Sequence, residues 1–413
     1  MSEEILPLPS ERDASGRSLG SEELTLLQQV IESGTLFGPN GTMVRRFEQE
    51  LTEMFGVAHA RAVSSGSAAI HTALGALDIA PGDEVVTTPI TDIGAIAPIL
   101  FQGAVPVFAD VDARTLNVTA GTIEPRLTDR TRAIIVTHLF GNPCDMDGIL
   151  SLASRRGLAV IEDAAQAYLA SYRGRLAGTI GDIAAFSLQQ TKHITSGEGG
   201  FVLTRSPDLA RRSRVWADKG WNYAEIDPDH EFLGLNYRMS ELQGAVALAQ
   251  LRKLAAMTDR RVKMAELLAA RIEGVPGVAP LPTTPGAEPT YWKYALLVDR
   301  EEAGGGPEEL GAELRGLGVW SVPNYIRVPA FMCRQFRERI TFGDTRYPYA
   351  LHGDAYPIER LEDYPGCRDG LARVLVLPWT ERHTERHVEF IANQIMRAVE
   401  RIASREGAVG GRR

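Results

Sequence analysis

Cysteine is scarce in this chain of 413 residues: Cys144, Cys333 and Cys367 stand far apart, with no C-x-x-C pair among them. That excludes a disulfide-stapled scaffold and a thiolate metal centre, and no histidine cluster at ligand spacing supplies another, so no metal is expected. Such cysteine usage suits a reducing, cytoplasmic compartment. No apolar stretch reaches the roughly 18 residues of a membrane-spanning helix. The N-terminus MSEEILPLPSERDASGRSLGSEE lacks the basic start and apolar run of a signal peptide. Positive charge is also in deficit, 44 Lys and Arg against 53 Asp and Glu, a net charge of -9. An acidic surface repels phosphate polyanions unless a basic stripe overrides it, and none precedes the short Gly410 to Arg413 tail. Neither nucleic acid nor a membrane is therefore an expected partner.

What is present is the balance of a globular protein, 44% hydrophobic and 23% charged, over a length that divides into at least two domains. From Glu22 to Gly200, helical patterns alternate with β-branched runs: EVVTTP from Glu84, VPVFADV from Val105, AIIVTHL from Ala133, LAVIEDA from Leu158 and IAAFSL from Ile183. That alternation predicts a largely parallel sheet covered by helices. Most of the runs end in polar residues, among them Asp112, His138, Glu162, Asp163 and Ser187. The ligand crevice of an open α/β sheet lies outside the carboxyl ends of its strands, so these residues can share one site. A long helical pattern starts near Met239, with Leu242, Ala245, Val246 and Ala249 on one face. The Pro/Gly-rich stretch from Gly274 to Pro289 then leads to YALLVD, VLVLPW and a final amphipathic helix over about 381–402. The expected organisation is an N-terminal arm over 1–20, a large α/β domain over 21–273, a smaller α+β domain over 274–403 and a flexible tail over 404–413.

Three segments carry chemistry. In RAVSSGSAAIHTALGAL a short strand meets a small-residue turn and a helix starting near Ser67. A helix N-terminus offers free N–H groups and a positive dipole end to a phosphate, although Ser67 can equally serve as its own helix's N-cap. In VIEDAAQA two carboxylates end an apolar strand. Such a carboxylate needs a cationic partner such as a protonated pyridine nitrogen, or else caps the next helix or meets an arginine. Glu162 points to the opposite face from Asp163. In FSLQQTKHITSGEGG a lysine, Lys192, sits among small and polar residues directly after a strand. A desolvated lysine of lowered pKa is a nucleophile toward an aldehyde and, once released, a general base.

On these segments, from FGPN at Phe37 to the last strand, the chain resembles the DegT/DnrJ/EryC1/StrS family of sugar aminotransferases, whose fold is pyridoxal 5'-phosphate (PLP) fold type I, the aspartate-aminotransferase-like α/β fold with a large mostly parallel sheet and a smaller α+β unit. In that family the Schiff-base lysine follows a strand-end aspartate by 29 residues, the spacing of Asp163 and Lys192 here. The resemblance implies that Lys192 carries PLP and moves the proton, and that Asp163 faces the pyridinium. It places Gln166 against the ring and gives the phosphate to Ser67, Ala68 and Ser187. Asn236, in LGLNYRMSELQ, is implied to reach the phosphate of a second subunit, which makes a homodimer the functional unit. The implied reaction transfers an amino group from glutamate or glutamine to a keto-sugar, often nucleotide-linked, or to a ketocyclitol, in the biosynthesis of an amino-sugar or aminocyclitol natural product such as an antibiotic. A PLP-binding regulator or sensor, or a lyase of the same fold, is the alternative. One position departs from the pattern: Asp92 stands where relatives often place an aromatic ring over the cofactor. Tyr325 and Arg327, in NYIRVP, are candidate substrate contacts, whereas His193 and His71 are expected to be packed residues.

Overall fold

A computed structural model describes residues 5–410 apart from 223, 224, 228 and 354. Its main sheet has seven strands in the order His59–Val63, Gly200–Thr204, Ile183–Ser187, Ala159–Asp163, Thr131–Thr137, Glu84–Thr87 and Val105–Phe108. Gly200–Thr204 pairs antiparallel with both neighbours, and the pairings from Ile183–Ser187 outward are parallel. The five apolar runs read from the sequence are all strands of this sheet. Glu84–Thr87 and Ile183–Ser187 are buried along their whole length, as strands covered on both faces must be. One apolar cluster holds Leu74, Ile99 and Leu152. A separate one joins Phe47 and Leu51, of helix Met43–Phe55, to Leu248 and Leu251 of helix Glu241–Arg271. That long helix begins where expected, behind a Ser240–Gln243 capping box.

A second, wholly antiparallel sheet runs Val278–Pro280, Lys293–Val298, Val374–Pro378, Val322–Pro323. Its core combines Leu296, Leu310, Leu375, Trp379 and Ile391 with Met264, Ala265 and Leu268 from the second half of the long helix. The apolar core of this unit thus recruits residues before 274. Residues 324–371, in turn, pack partly on the main sheet: Phe331 and Phe336 meet Phe108 edge-on at 5.8 and 5.6 Å, and the N–H groups of Gly366 and Cys367 donate to Asp110, each at 2.8 Å. This segment packs against the edge strand Val105–Phe108, whose side chains are largely buried. The last helix spans Glu385–Gly410, so it continues through most of the tail expected from 404, and 411–413 lie outside the described residues. Among the described residues no helix is long and apolar enough to cross a membrane, and no cluster of His, Cys, Asp and Glu could hold a metal ion.

Candidate active site

Sheet register decides which side chains meet. Thr137, Asp163 and Ala185 stand side by side on adjacent strands, and Ser187 pairs with Gly200, which in turn pairs with Val63. The carboxyl ends of the central strands therefore open into one cavity of about 390 Å³, lined by Asp163, Gln166, Ser187, Lys192, Ser67 and Ser65 among others.

Asp163 is 6% exposed. Its carboxylate accepts the Thr137 hydroxyl at 3.1 Å and the Ala165 N–H at 3.2 Å. Burial pushes this carboxyl up from its ordinary range, against the pull of Lys192 and of those two donors. Glu162 points the other way, as strand alternation requires, into a closed cage where it accepts His138 Nε2–H at 2.9 Å and the N–H groups of Gly178, Ile180 and Gly181. His138 Nδ1 accepts the Cys144 N–H, which leaves Nε2 to donate. Burial works against the Glu162 charge, but these donors prevail and hold its pKa below the usual value. Glu162 is thus a structural anion.

Lys192 sits in the turn after Ile183–Ser187, its own N–H donating to the Gln189 carbonyl. Its amine lies 4.3 Å from the centre of the Trp292 ring, whose indole N–H donates to the Thr191 carbonyl at 2.8 Å. Burial pulls the pKa of this amine down, opposed by Asp163, Asp92 and Glu11. An amine that sheds its proton more readily than a solvated lysine is the nucleophile an aldehyde needs.

On the opposite rim, helix Gly66–Ala76 starts one residue earlier than the sequence suggested. Ser65 is its N-cap, accepting the Ala68 N–H at 3.0 Å, so the capping role open to Ser67 falls to Ser65. Ser67 keeps its hydroxyl in the cavity, whereas Ala68 is buried with its N–H spent on the cap. The N–H groups at the first helical positions, Gly66 and Ser67, have no intrahelical acceptor. A Cβ on Gly66 would sit 2.7 Å from Ser187 Cβ, so glycine alone lets these two rims close on each other.

Gln166 accepts the Phe140 N–H at 2.8 Å, and Tyr325 meets the Phe140 ring edge-on at 4.7 Å. Tyr325 lines the cavity while Arg327 is exposed outside its lining. Asp92 lines the cavity too, with its carboxylate accepting the Gly94 N–H at 2.7 Å. His193 is buried behind Lys192, donating through Nε2 to the Thr290 carbonyl. Burial keeps His193 neutral well below the usual imidazole range, and His71 is tied to Tyr237 and Gln102, so neither reaches the cavity. Asn236 does not join the others: it lies exposed on the surface, its side chain accepting the Arg238 N–H.

One cavity thus brings together a helix N-terminus with free N–H groups and hydroxyls, a buried carboxylate and a desolvated amine, a donor set that fits the phosphate, ring nitrogen and aldehyde carbon of PLP. A profile of the DegT/DnrJ/EryC1/StrS aminotransferase family matches residues 17–352. The chain belongs to that family. The spore coat polysaccharide biosynthesis protein SpsC of Bacillus subtilis is 36% identical over 353 residues, 81% of this chain and 87% of that protein. The L-glutamine:2-deoxy-scyllo-inosose aminotransferase of Streptoalloteichus tenebrarius is 36% identical over 311 residues, 70% of this chain and 73% of its own length. Among solved structures, an aminotransferase from Psychrobacter cryohalolentis superposes with a TM-score of 0.83 at 31% identity, covering 94% of this chain and 99% of that one. The protein is a PLP-dependent aminotransferase of fold type I.

Proposed function

We propose that the protein transfers the amino group of glutamine or glutamate to a keto-sugar or ketocyclitol. The observation that carries this reading is the Lys192 amine, held in one cavity with the Asp163 carboxylate and the N-terminus of helix Gly66–Ala76. PLP supplies the electron sink into which the bond at the donor's α-carbon is loosened. The chain does the rest. Asp163 keeps the ring nitrogen protonated, and Gln166 lies against the ring. Ser67, Ser187 and the N–H groups of Gly66 and Ser67 would hold the phosphate, with Ala68 beside them contributing its small size. Once displaced, Lys192 would take the proton from the donor's α-carbon and deliver it to the cofactor's 4'-carbon. Relatives acting on a deoxy-scyllo-inosose and those named GDP-perosamine synthase, one of them 35% identical over 289 residues, support both acceptor classes, cyclitol and nucleotide-linked sugar. Such acceptors belong to the biosynthesis of amino-sugar or aminocyclitol products, antibiotics included, in the cytoplasm.

Asn236 serves a partner's site, which makes the working unit a homodimer. Its surroundings support this: Leu233 is 88% exposed, and Leu235, Leu36 and Phe37 are exposed as well. Replacing Asn236 with Ala should loosen cofactor retention without lowering the melting temperature. The defining experiment supplies α-15N-glutamine or glutamate with one acceptor at a time, a nucleotide-linked keto-sugar or a ketocyclitol, and follows the label by mass spectrometry. A labelled aminated acceptor supports the reading. A cofactor-loaded protein whose visible band neither donor changes points instead to the regulator or the lyase.

A further inference from the structure

The N-terminal arm reaches the reactive lysine from behind. Arg17, 2% exposed, donates from Nη1 to the Lys192 carbonyl at 2.8 Å and from Nη2 to the His193 carbonyl at 3.4 Å. Gln190 donates to the Glu11 carbonyl at 3.3 Å, so the arm grips the Lys192 turn at several points. Between these grips the Glu11 carboxylate pairs with Lys293, both side chains nearly out of solvent. The Lys293 amine lies 4.8 Å from the centre of the same Trp292 ring that Lys192 approaches at 4.3 Å. One indole therefore serves two ammonium groups, and only one of them, Lys293, has a carboxylate bonded to it.

We propose that the Glu11–Lys293 pair is a positioning device for the reactive amine: it docks the N-terminal arm, fixes Trp292 against Lys192, and sets the local charge balance that decides when Lys192 is neutral. This rests on the reading of Lys192 as the cofactor lysine. Trp292 is anchored by its indole N–H on the Thr191 carbonyl, and an uncompensated Lys293 ammonium at its face would repel a charged Lys192 amine in this buried site. Burial already pulls Lys293 down to about 8. The charged groups around Lys192 are Asp163 at the end of the neighbouring strand Ala159–Asp163, Asp92 in the cavity lining and Glu11 on the arm, with Lys293 beside the ring and Arg17 and Arg261 further back. Glu11 is the one member supplied by the arm as an anion, and it acts on both lysines.

The test uses the full chain stripped of cofactor and reads the ionisation of Lys192 directly, from the pH dependence of its acetylation measured by peptide mass spectrometry. Glu11→Gln removes an anion and should move the Lys192 midpoint to lower pH by about one unit, whereas Lys293→Met removes a cation and should move it up by a similar amount. The double variant, with both charges gone, should return to within a few tenths of a unit of wild type and keeps the test valid if either single variant is too unstable to purify. Opposite shifts that cancel in the double variant support the proposal. Shifts of the same sign, or midpoints that do not move, overturn it. Failure of the cofactor reading is seen separately, as a wild-type chain that forms no visible band with PLP.

Discussion

Replacing Asp163 with Asn isolates one charge from everything else in the site. The amide has the shape of the carboxylate, and its oxygen can still accept the Ala165 N–H that now lies at 3.2 Å. On the other side its NH2 meets the Thr137 hydroxyl, which can turn from donor to acceptor. Packing is thus preserved and only the negative charge is lost. That charge is the foremost partner opposing the desolvation of Lys192. An opposite charge in such a position is worth about 1–3 pKa units of preference for the protonated partner. At 1.36 kcal/mol per unit this is about 1.4 to 4 kcal/mol, a factor of about 10 to 10³. Once the ring nitrogen is the partner, the same loss falls on the step that draws electrons into the ring. The expected result is a half-reaction with glutamine slowed by about 10- to 10³-fold in stopped-flow absorbance, with circular dichroism unchanged and cofactor still bound. A variant within threefold of wild type, still folded and loaded, would refute the assignment of Asp163.

The other carboxylate on that strand should behave oppositely. Glu162→Ala strips the acceptor from His138 and three N–H groups, and is expected to cost about 3–5 kcal/mol of stability in a denaturant titration, whatever the cofactor state. Because the folded Glu162 pKa lies below the ordinary glutamate value of about 4.3, its contribution is complete above that pH. It is lost as pH falls through the folded value, so the melting temperature should drop on the acid side and Glu162→Gln should flatten that drop. Ser65→Ala and Ser67→Ala should separate capping from binding. The first is expected to lower stability by about 1 kcal/mol, whereas the second leaves stability unchanged and weakens PLP retention in dialysis.

Much of the architecture could be read from local pattern. Strands buried on both faces are written as short β-branched runs, and of their polar last residues Asp163 and Ser187 line the cavity whereas Asp112, His138 and Glu162 do not; Lys192 was joined to Asp163 by the family resemblance and its 29-residue spacing. The two faces of a strand also separate Glu162 from Asp163 by simple alternation. Contacts between distant segments were not legible. Trp292 lies 101 residues from its Thr191 partner and Glu11 lies 282 from Lys293, and nothing local distinguishes an arm glutamate destined for burial from the solvated charges beside it. A lysine opening an apolar strand, as Lys293 does before YALLV, was the one available signal of a buried cation in need of a partner. Ser65 was missed because two serines flank Gly66, and the choice of cap depends on where backbone geometry leaves the helix, one residue from the position the pattern favoured. The segment 324–371 carries no strong period of its own; its placement follows from Phe331, Phe336 and Tyr364 finding the edge of the main sheet.

The measurement that tests the central claim most directly is reduction of the PLP-loaded protein with borohydride, followed by peptide mapping of the pyridoxyl mass. Lys192 and Lys293 lie against the same indole, and burial lowers the pKa of both amines, so the chain contains its own competitor. The structure predicts the label on Lys192 alone, the amine that lines the same cavity as Asp163, and none in a Lys192→Ala variant. A label on Lys293, or one that survives the loss of Lys192, would contradict the account.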